Sequence, residues 1–164
     1  MVAGHVAEGQ HPVSAGIAAG AAAPVGDLRK IVGPGHELAA MIGLDATPRA
    51  RLRTDASYRR FAGANGGADL RVIGIGADVL LDLAHPAGAR LYANGGGGVS
   101  RSEFGRNDLP PENDLAARAG VGLAAALGNT RLFSEIGFHN IFSGSNLSDD
   151  SRRFIAIRAG MMFR

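Results

Sequence analysis

The sequence predicts an all-β fold: eight antiparallel strands running up and down around one closed barrel. Three observations carry that prediction. Eight segments alternate in residue type with period 2, the mark of a strand with two unlike faces. Most of their glycines fall on one parity rather than in linkers. The connections alternate long and short, the order of an up-and-down meander whose longer loops gather at one end.

Taken in chain order, the first segment sets Val13, Ala15, Ile17, Ala19 and Ala21 against Ser14, Gly16, Ala18 and Gly20. The second sets Leu38, Ala40, Ile42 and Leu44 against Ala39, Met41 and Gly43. In the third, Leu52, Ala56 and Tyr58 oppose Arg53, Asp55 and Ser57. Ile73, Ile75, Ala77, Val79 and Leu81 oppose Gly74, Gly76, Asp78 and Leu80 in the fourth. The fifth opposes Leu91, Ala93 and Val99 to Arg90, Tyr92, Asn94, Gly96 and Gly98. The sixth opposes Ala117, Ala119, Val121, Leu123 and Ala125 to Arg118, Gly120, Gly122 and Ala124. Leu132, Ile136 and Phe138 oppose Phe133, Glu135, Gly137 and His139 in the seventh. The last sets Ile155, Ile157, Ala159, Met161 and Phe163 against Phe154, Ala156, Arg158, Gly160 and Met162. The expected strands are 13–24, 37–45, 50–61, 70–83, 89–100, 115–127, 130–142 and 152–163. Alanine around Ala15–Ala23 and Leu115–Leu127 favours helix, but glycines two apart, as at Gly120 and Gly122, suit a strand face and oppose a helix.

The longer connections are expected at Val25–His36, Ala62–Asp69, Ser100–Asp114 and Ser143–Ser151, rich in Gly, Asn, Asp, Pro and Ser. The shorter ones lie near Ala46–Ala50, His85–Gly88 and Gly128–Asn129.

Composition narrows the function. The 164 residues fit one domain, read as a short tail over 1–12 and a barrel over 13–164. There is no cysteine, which excludes disulfides, zinc–thiolate sites and cysteine nucleophiles. Basic and acidic residues number 17 and 15, and only Lys30 is lysine, so no nucleic-acid partner is expected. His5, His11, His36, His85 and His139 show no paired metal-ligand spacing. Gly95–Gly98 lacks the Lys-Ser/Thr and the following helix of a phosphate loop. No metal or other cofactor is expected. The longest nearly uncharged stretch, Pro12–Gly26, is too short and too small-residued for a spanning helix. Met1–Gln10 has neither a basic start nor an apolar block, so no export signal is expected here, as in a mature or truncated form.

Two architectures fit the alternation. A soluble lipocalin-type barrel buries its apolar face around a small apolar ligand; a transmembrane barrel turns that face to lipid. The less apolar parity carries Gly, Ala and Ser with sparse charges of both signs: Arg53, Asp55, Asp78, Arg118, Glu135 and Arg158. Such a face suits the interior of an eight-stranded barrel, just wide enough for side chains to fill. The expectation is a transmembrane barrel with Ile73, Ile75, Val79, Val121, Leu123, Ile136, Phe138, Ile155, Ile157 and Phe163 on lipid. Inside it, the six charges and His139 form a polar network that plugs the lumen, with Glu135 and Arg158 paired on neighbouring strands.

Several pieces occur in order: Ala23-Pro24-Val25-Gly26-Asp27-Leu28, Leu52–Tyr58 followed by Arg60-Phe61, Arg90-Leu91-Tyr92 leading into Gly95–Gly98, Leu132–Glu135 with Phe138-His139, and the closing Ala159–Arg164. Together they resemble the small outer-membrane β-barrel domains of the OmpA/OmpX-like kind from Gram-negative bacteria. Two features depart from the pattern: Arg164 follows the terminal aromatic Phe163, and aromatics for an interfacial girdle are few, Tyr58, Tyr92 and seven Phe. The resemblance implies a monomeric, porin-like outer-membrane protein in contact with outer-membrane lipid, recognised by the barrel-assembly machinery through its last strand. It implies a structural or loop-borne interaction role, with the loops' partner unspecified.

Lipid A deacylases use Ser, His and an acid on such a scaffold. His139 and Ser143, near Glu135, are the candidates here. Four residues of strand separate them by roughly 13 Å at ~3.3 Å per residue, too far for a nucleophile–base hydrogen bond. Ser134 lies on the opposite parity from His139. No enzymatic activity is expected, and His139 is read as an inward polar residue.

Overall fold

A computed structural model of the chain describes residues 13–105, 110–142 and 151–164. Eight strands account for most of them: β1 (Val13–Val25), β2 (Val32–Asp45), β3 (Ala50–Gly63), β4 (Leu70–Ala84), β5 (Ala89–Phe104), β6 (Glu112–Leu127), β7 (Thr130–Phe142) and β8 (Arg152–Phe163). Each pairs antiparallel with its sequence neighbours, and β8 returns to β1, with Ile17 opposite Met161 and Ala21 opposite Ile157. Closure leaves no sheet edge, so the N–H and C=O rows of both terminal strands are paired.

The strand centres lie where the alternation places them, but several strands run further toward the long-loop end. β2 begins at Val32, five residues before the expected start, β5 continues to Phe104 and β6 starts at Glu112. Backbone pairing persists there, as in Val32 with Gly63, Arg101 with Asn113 and Ser102 with Glu112. The outward side chains meanwhile turn polar: His36, Arg60, Arg71, Arg101 and Asn113. A hydrophobic alternation ends where the apolar band ends; hydrogen-bonded sheet does not. Two of the connections expected to be long are therefore shorter: 26–31 and 64–69.

Local chemistry explains the irregular points. The β2 register shifts between Val32 and Gly35 around Pro34, which has no N–H to give the ladder. Connection 26–31 holds a single helical turn, α1 (Leu28–Ile31), entered from Gly26 at φ +64°. Gly128, at φ +59°, opens the tight turn joining β6 to β7, a backbone state that favours glycine.

The apolar parity faces outward. All ten residues expected on lipid are exposed, with Ile75 at 64% and Ile157 at 59%. Inside are two separate apolar clusters. The one at the long-loop end contains Leu28, Val32, Phe61, Leu70, Val72, Ile141 and Phe154. The one toward the short turns contains Met41, Leu80, Tyr92, Phe133 and Met162. The outer girdle is thin because Phe61, Tyr92, Phe133 and Phe154 point inward.

Candidate functional site in the barrel lumen

Between the two apolar clusters lies a belt of charge, built by the inward parity. β3 supplies Arg53, Asp55 and Arg59, β4 supplies Asp78, and β6 supplies Arg118. Glu135, Arg158 and Glu37 come from β7, β8 and β2. The eight groups form one chain of alternating sign: Arg59, Glu37, Arg158, Glu135, Arg53, Asp78, Arg118, Asp55. Four arginines meet four carboxylates, so the belt is neutral. None of these side chains is more than 11% exposed.

The geometry is that of charge-assisted hydrogen bonds. Arg53 donates from Nη1 to Glu135 Oε1 at 2.6 Å and from Nη2 to Asp78 Oδ2 at 2.9 Å. Arg158 Nε donates to Glu135 Oε2 at 2.7 Å, and its Nη1 to Glu37 Oε1 at 3.2 Å. Arg59 holds Glu37 with two bonds of 3.1 Å. Arg118 Nε donates to Asp78 Oδ1 at 2.5 Å, and its two terminal nitrogens grip Asp55. Glu135 is the hub, accepting also from Tyr92 Oη at 2.9 Å and Asn94 Nδ2 at 3.1 Å. Burying ions is costly, and partners of this number and quality offset the cost.

The inward glycines make the belt possible by their size. Tyr92, Gly122 and Glu135 lie in register across β5, β6 and β7. A Cβ on Gly122 would sit 2.5 Å from the Tyr92 ring and 2.8 Å from Glu135 Cγ. Asp78, Gly96 and Arg118 repeat the pattern across β4, β5 and β6, where a Cβ on Gly96 would meet Asp78 Oδ1 at 2.5 Å. Each bulky inward group uses the space its glycine neighbour leaves.

Of the residues expected in a polar network, Arg53, Asp55, Asp78, Arg118, Glu135 and Arg158 lie in this chain. Glu135 and Arg158 occupy directly opposed positions on β7 and β8. His139 differs. It faces inward and is buried, but its ring stacks on Phe154 at 4.8 Å, above the ion chain. Its aromatic neighbour belongs to the apolar cluster, so it joins the two layers rather than extending the ion pairs. Ser143 lies outside the described residues. Glu37 and Arg59 were not anticipated. Each is one further step on an inward parity already recognised, Ala39–Met41–Gly43 and Arg53–Asp55–Ser57.

Above the belt, Phe61, Leu70, Val72 and Phe154 fill the lumen with essentially no exposure, and Leu28 of α1 packs onto them from the connection. A residual space of about 30 Å³ lies between belt and cluster, beside Ser100, Arg118 and His139. At the same end, Asp69 accepts from Arg60 at 2.7 Å and from the Gly63 N–H at 3.1 Å. The Arg60 guanidinium, helped by that N–H, holds the Asp69 carboxyl below the usual carboxylate range. Among the described residues no cluster of His, Asp and Glu is arranged to hold a metal ion.

The architecture has solved counterparts. Neisserial surface protein A superposes with a TM-score of 0.69 at 16% identity, over 92% of this chain and 96% of that one. The attachment invasion locus protein Ail of Yersinia pestis gives 0.57 at 14% identity, over 92% and 97%. The N-terminal β-barrel domain of Pseudomonas aeruginosa OprF gives 0.55 at 14% identity, over 94% and 100%. No family model matches the sequence, and no curated protein matches it. The shared property is the fold, an eight-stranded antiparallel barrel spanning nearly the whole of each chain.

Proposed function

We propose that this chain is a non-enzymatic, OmpA/OmpX-like β-barrel of the Gram-negative outer membrane, with a lumen plugged by its ion-paired belt and apolar clusters. The observation that carries the reading is the orientation of the sheet. Large apolar side chains line the outside of a closed barrel, while the charged ones are buried within. A lipocalin-type barrel needs the reverse orientation and an apolar internal cavity. The physical account is solvation: hydrocarbon accepts the outer face without cost, and a closed ladder leaves no backbone group unpaired in lipid.

The immediate partners in this reading are outer-membrane lipid around the apolar band and, during insertion, the barrel-assembly machinery at β8. The long-loop end faces out of the cell and both strand termini face the periplasm. The barrel acts as a monomer, uses no cofactor and binds no nucleic acid. A structural role is favoured over loop-borne recognition because two connections are tied to the barrel. Leu28 docks 26–31 into the apolar cluster, and Asp69 pins 64–69 to Gly63 and Arg60.

Folding in the presence and absence of micelles tests this. The purified chain should acquire β-sheet circular dichroism and a compact, heat-sensitive band on gels only with micelles or bilayers. A stable, monodisperse monomer in plain buffer would overturn the reading and restore the soluble alternative.

A further inference from the structure

A second arginine cluster lies at the short-turn mouth of the lumen. Arg51, Arg90, Arg131 and Arg164 converge there from β3, β5, β7 and the chain segment after β8. Among the described residues their ion pairs run to two carboxylates. Asp82 accepts from Arg51 at 2.5 Å and Arg90 at 3.3 Å, with His85 Nε2 at 3.8 Å. Asp45 faces Arg164 at 2.8 Å and Arg131 at 3.6 Å. Among the described residues, four guanidinium groups thus share two carboxylates, an excess of two positive charges at this mouth.

The excess borders a concavity. A space of about 110 Å³ is lined by Arg90, Arg131 and Arg164 together with Ser14, Asn129 and Thr130. Arg131 is only 14% exposed, yet its pair with Asp45 is long, at 3.6 Å. A half-buried guanidinium with a distant counter-ion favours an anion that brings its own oxygens, and arginine forks suit tetrahedral oxyanions.

We infer that this mouth is a binding site for a phosphate-type oxyanion, held by Arg90, Arg131 and Arg164 with Asn129 and Thr130 at its rim. The chemistry is common to free phosphate and to the phosphodiester of an anionic lipid whose headgroup reaches the mouth. The inference uses the barrel's inner mouth and not its orientation in a membrane.

The test is NMR on the full chain in phosphatidylcholine nanodiscs, following the arginine Nε–H and the Asn129 and Thr130 amides. Inorganic phosphate is titrated against chloride at equal ionic strength, and a second set of nanodiscs contains phosphatidylglycerol. Saturable shifts with phosphate and not chloride support a free-anion site. Shifts on changing to phosphatidylglycerol, with no further response to phosphate, support a headgroup in the same place. In either case R131Q should weaken the response about tenfold, the loss of one charge-assisted hydrogen bond. R164Q, at a more exposed position, supplies a second variant if R131Q folds poorly. Equal shifts with chloride, shifts untouched by both substitutions, or no shifts in either nanodisc would overturn the site. The compact, heat-sensitive band reports separately that each variant is a folded barrel.

Discussion

Two arginine clusters share the inner wall of this barrel, and they differ in one respect that matters. In the central belt four arginines meet four carboxylates, and apolar layers cover both sides. At the short-turn mouth four arginines share two carboxylates beside an open space. The belt has no capacity for a further ion, because each group already meets its opposite at hydrogen-bond distance. Among the described residues the mouth has positive charge in excess and an open space beside it. Charge balance and covering layers, rather than residue type, separate a structural cluster from a receptive one.

The largest effect that sharpens this contrast is expected at the hub. Glu135→Ala removes an acceptor shared by Arg53, Arg158, Tyr92 and Asn94 and leaves the buried belt with one uncompensated positive charge. It should cost about 3–5 kcal/mol in denaturant unfolding from micelles. A cost under ~1 kcal/mol would mean that water reaches the belt and the two clusters do not differ in kind. Arg164→Gln at the mouth should change stability by no more than ~0.5 kcal/mol, since its guanidinium is half exposed.

The outer wall sets the scale for an uncompensated charge. Val121 faces outward on β6, and Val121→Arg should cost about 2–4 kcal/mol in bilayers if the site is at the midplane. The same substitution should be nearly silent in a barrel whose outer face meets water. Gly122→Ala, the next residue and inward, tests size instead of charge. Its Cβ must displace Tyr92 from Glu135, for about 1–3 kcal/mol in the same unfolding assay.

The smallest effect is pH dependence at the loop end. Asp69 has its carboxyl pKa lowered in the folded chain, so its contribution is present at neutral pH and above the unfolded carboxylate range. It is lost as pH falls through the lowered folded value. Protection of the Gly63 amide, measured against its intrinsic exchange rate at each pH, should fall over that acid window in the native chain and not in Asp69→Asn. An unchanged Gly63 amide would place the anchor of 64–69 elsewhere.

Much of this was legible in the residues, and the exceptions have physical causes. Strand number, order and facing follow from period 2, because one face is apolar and turned outward while the other packs inside. Strand ends were misplaced at Val32, Phe104 and Glu112, where pairing outlasts apolar side chains. The pair Glu135 and Arg158 follows from strand adjacency. The contacts of Arg53 with Glu135 and of Arg118 with Asp55 cross the lumen between non-adjacent strands, and alternation carries no information about reach. His139 shows the same limit: parity places it inside, but only the fold puts Phe154 beside its ring.

Conductance in planar bilayers tests the central claim most directly, that a neutral, covered belt closes the lumen. The wild-type chain, inserted from micelles and shown to be present as folded barrel, should give no stable unitary conductance. Glu135→Ala, if it still inserts, should give intermittent openings as the freed arginines hydrate. A large, steady conductance from the wild-type barrel would contradict the account.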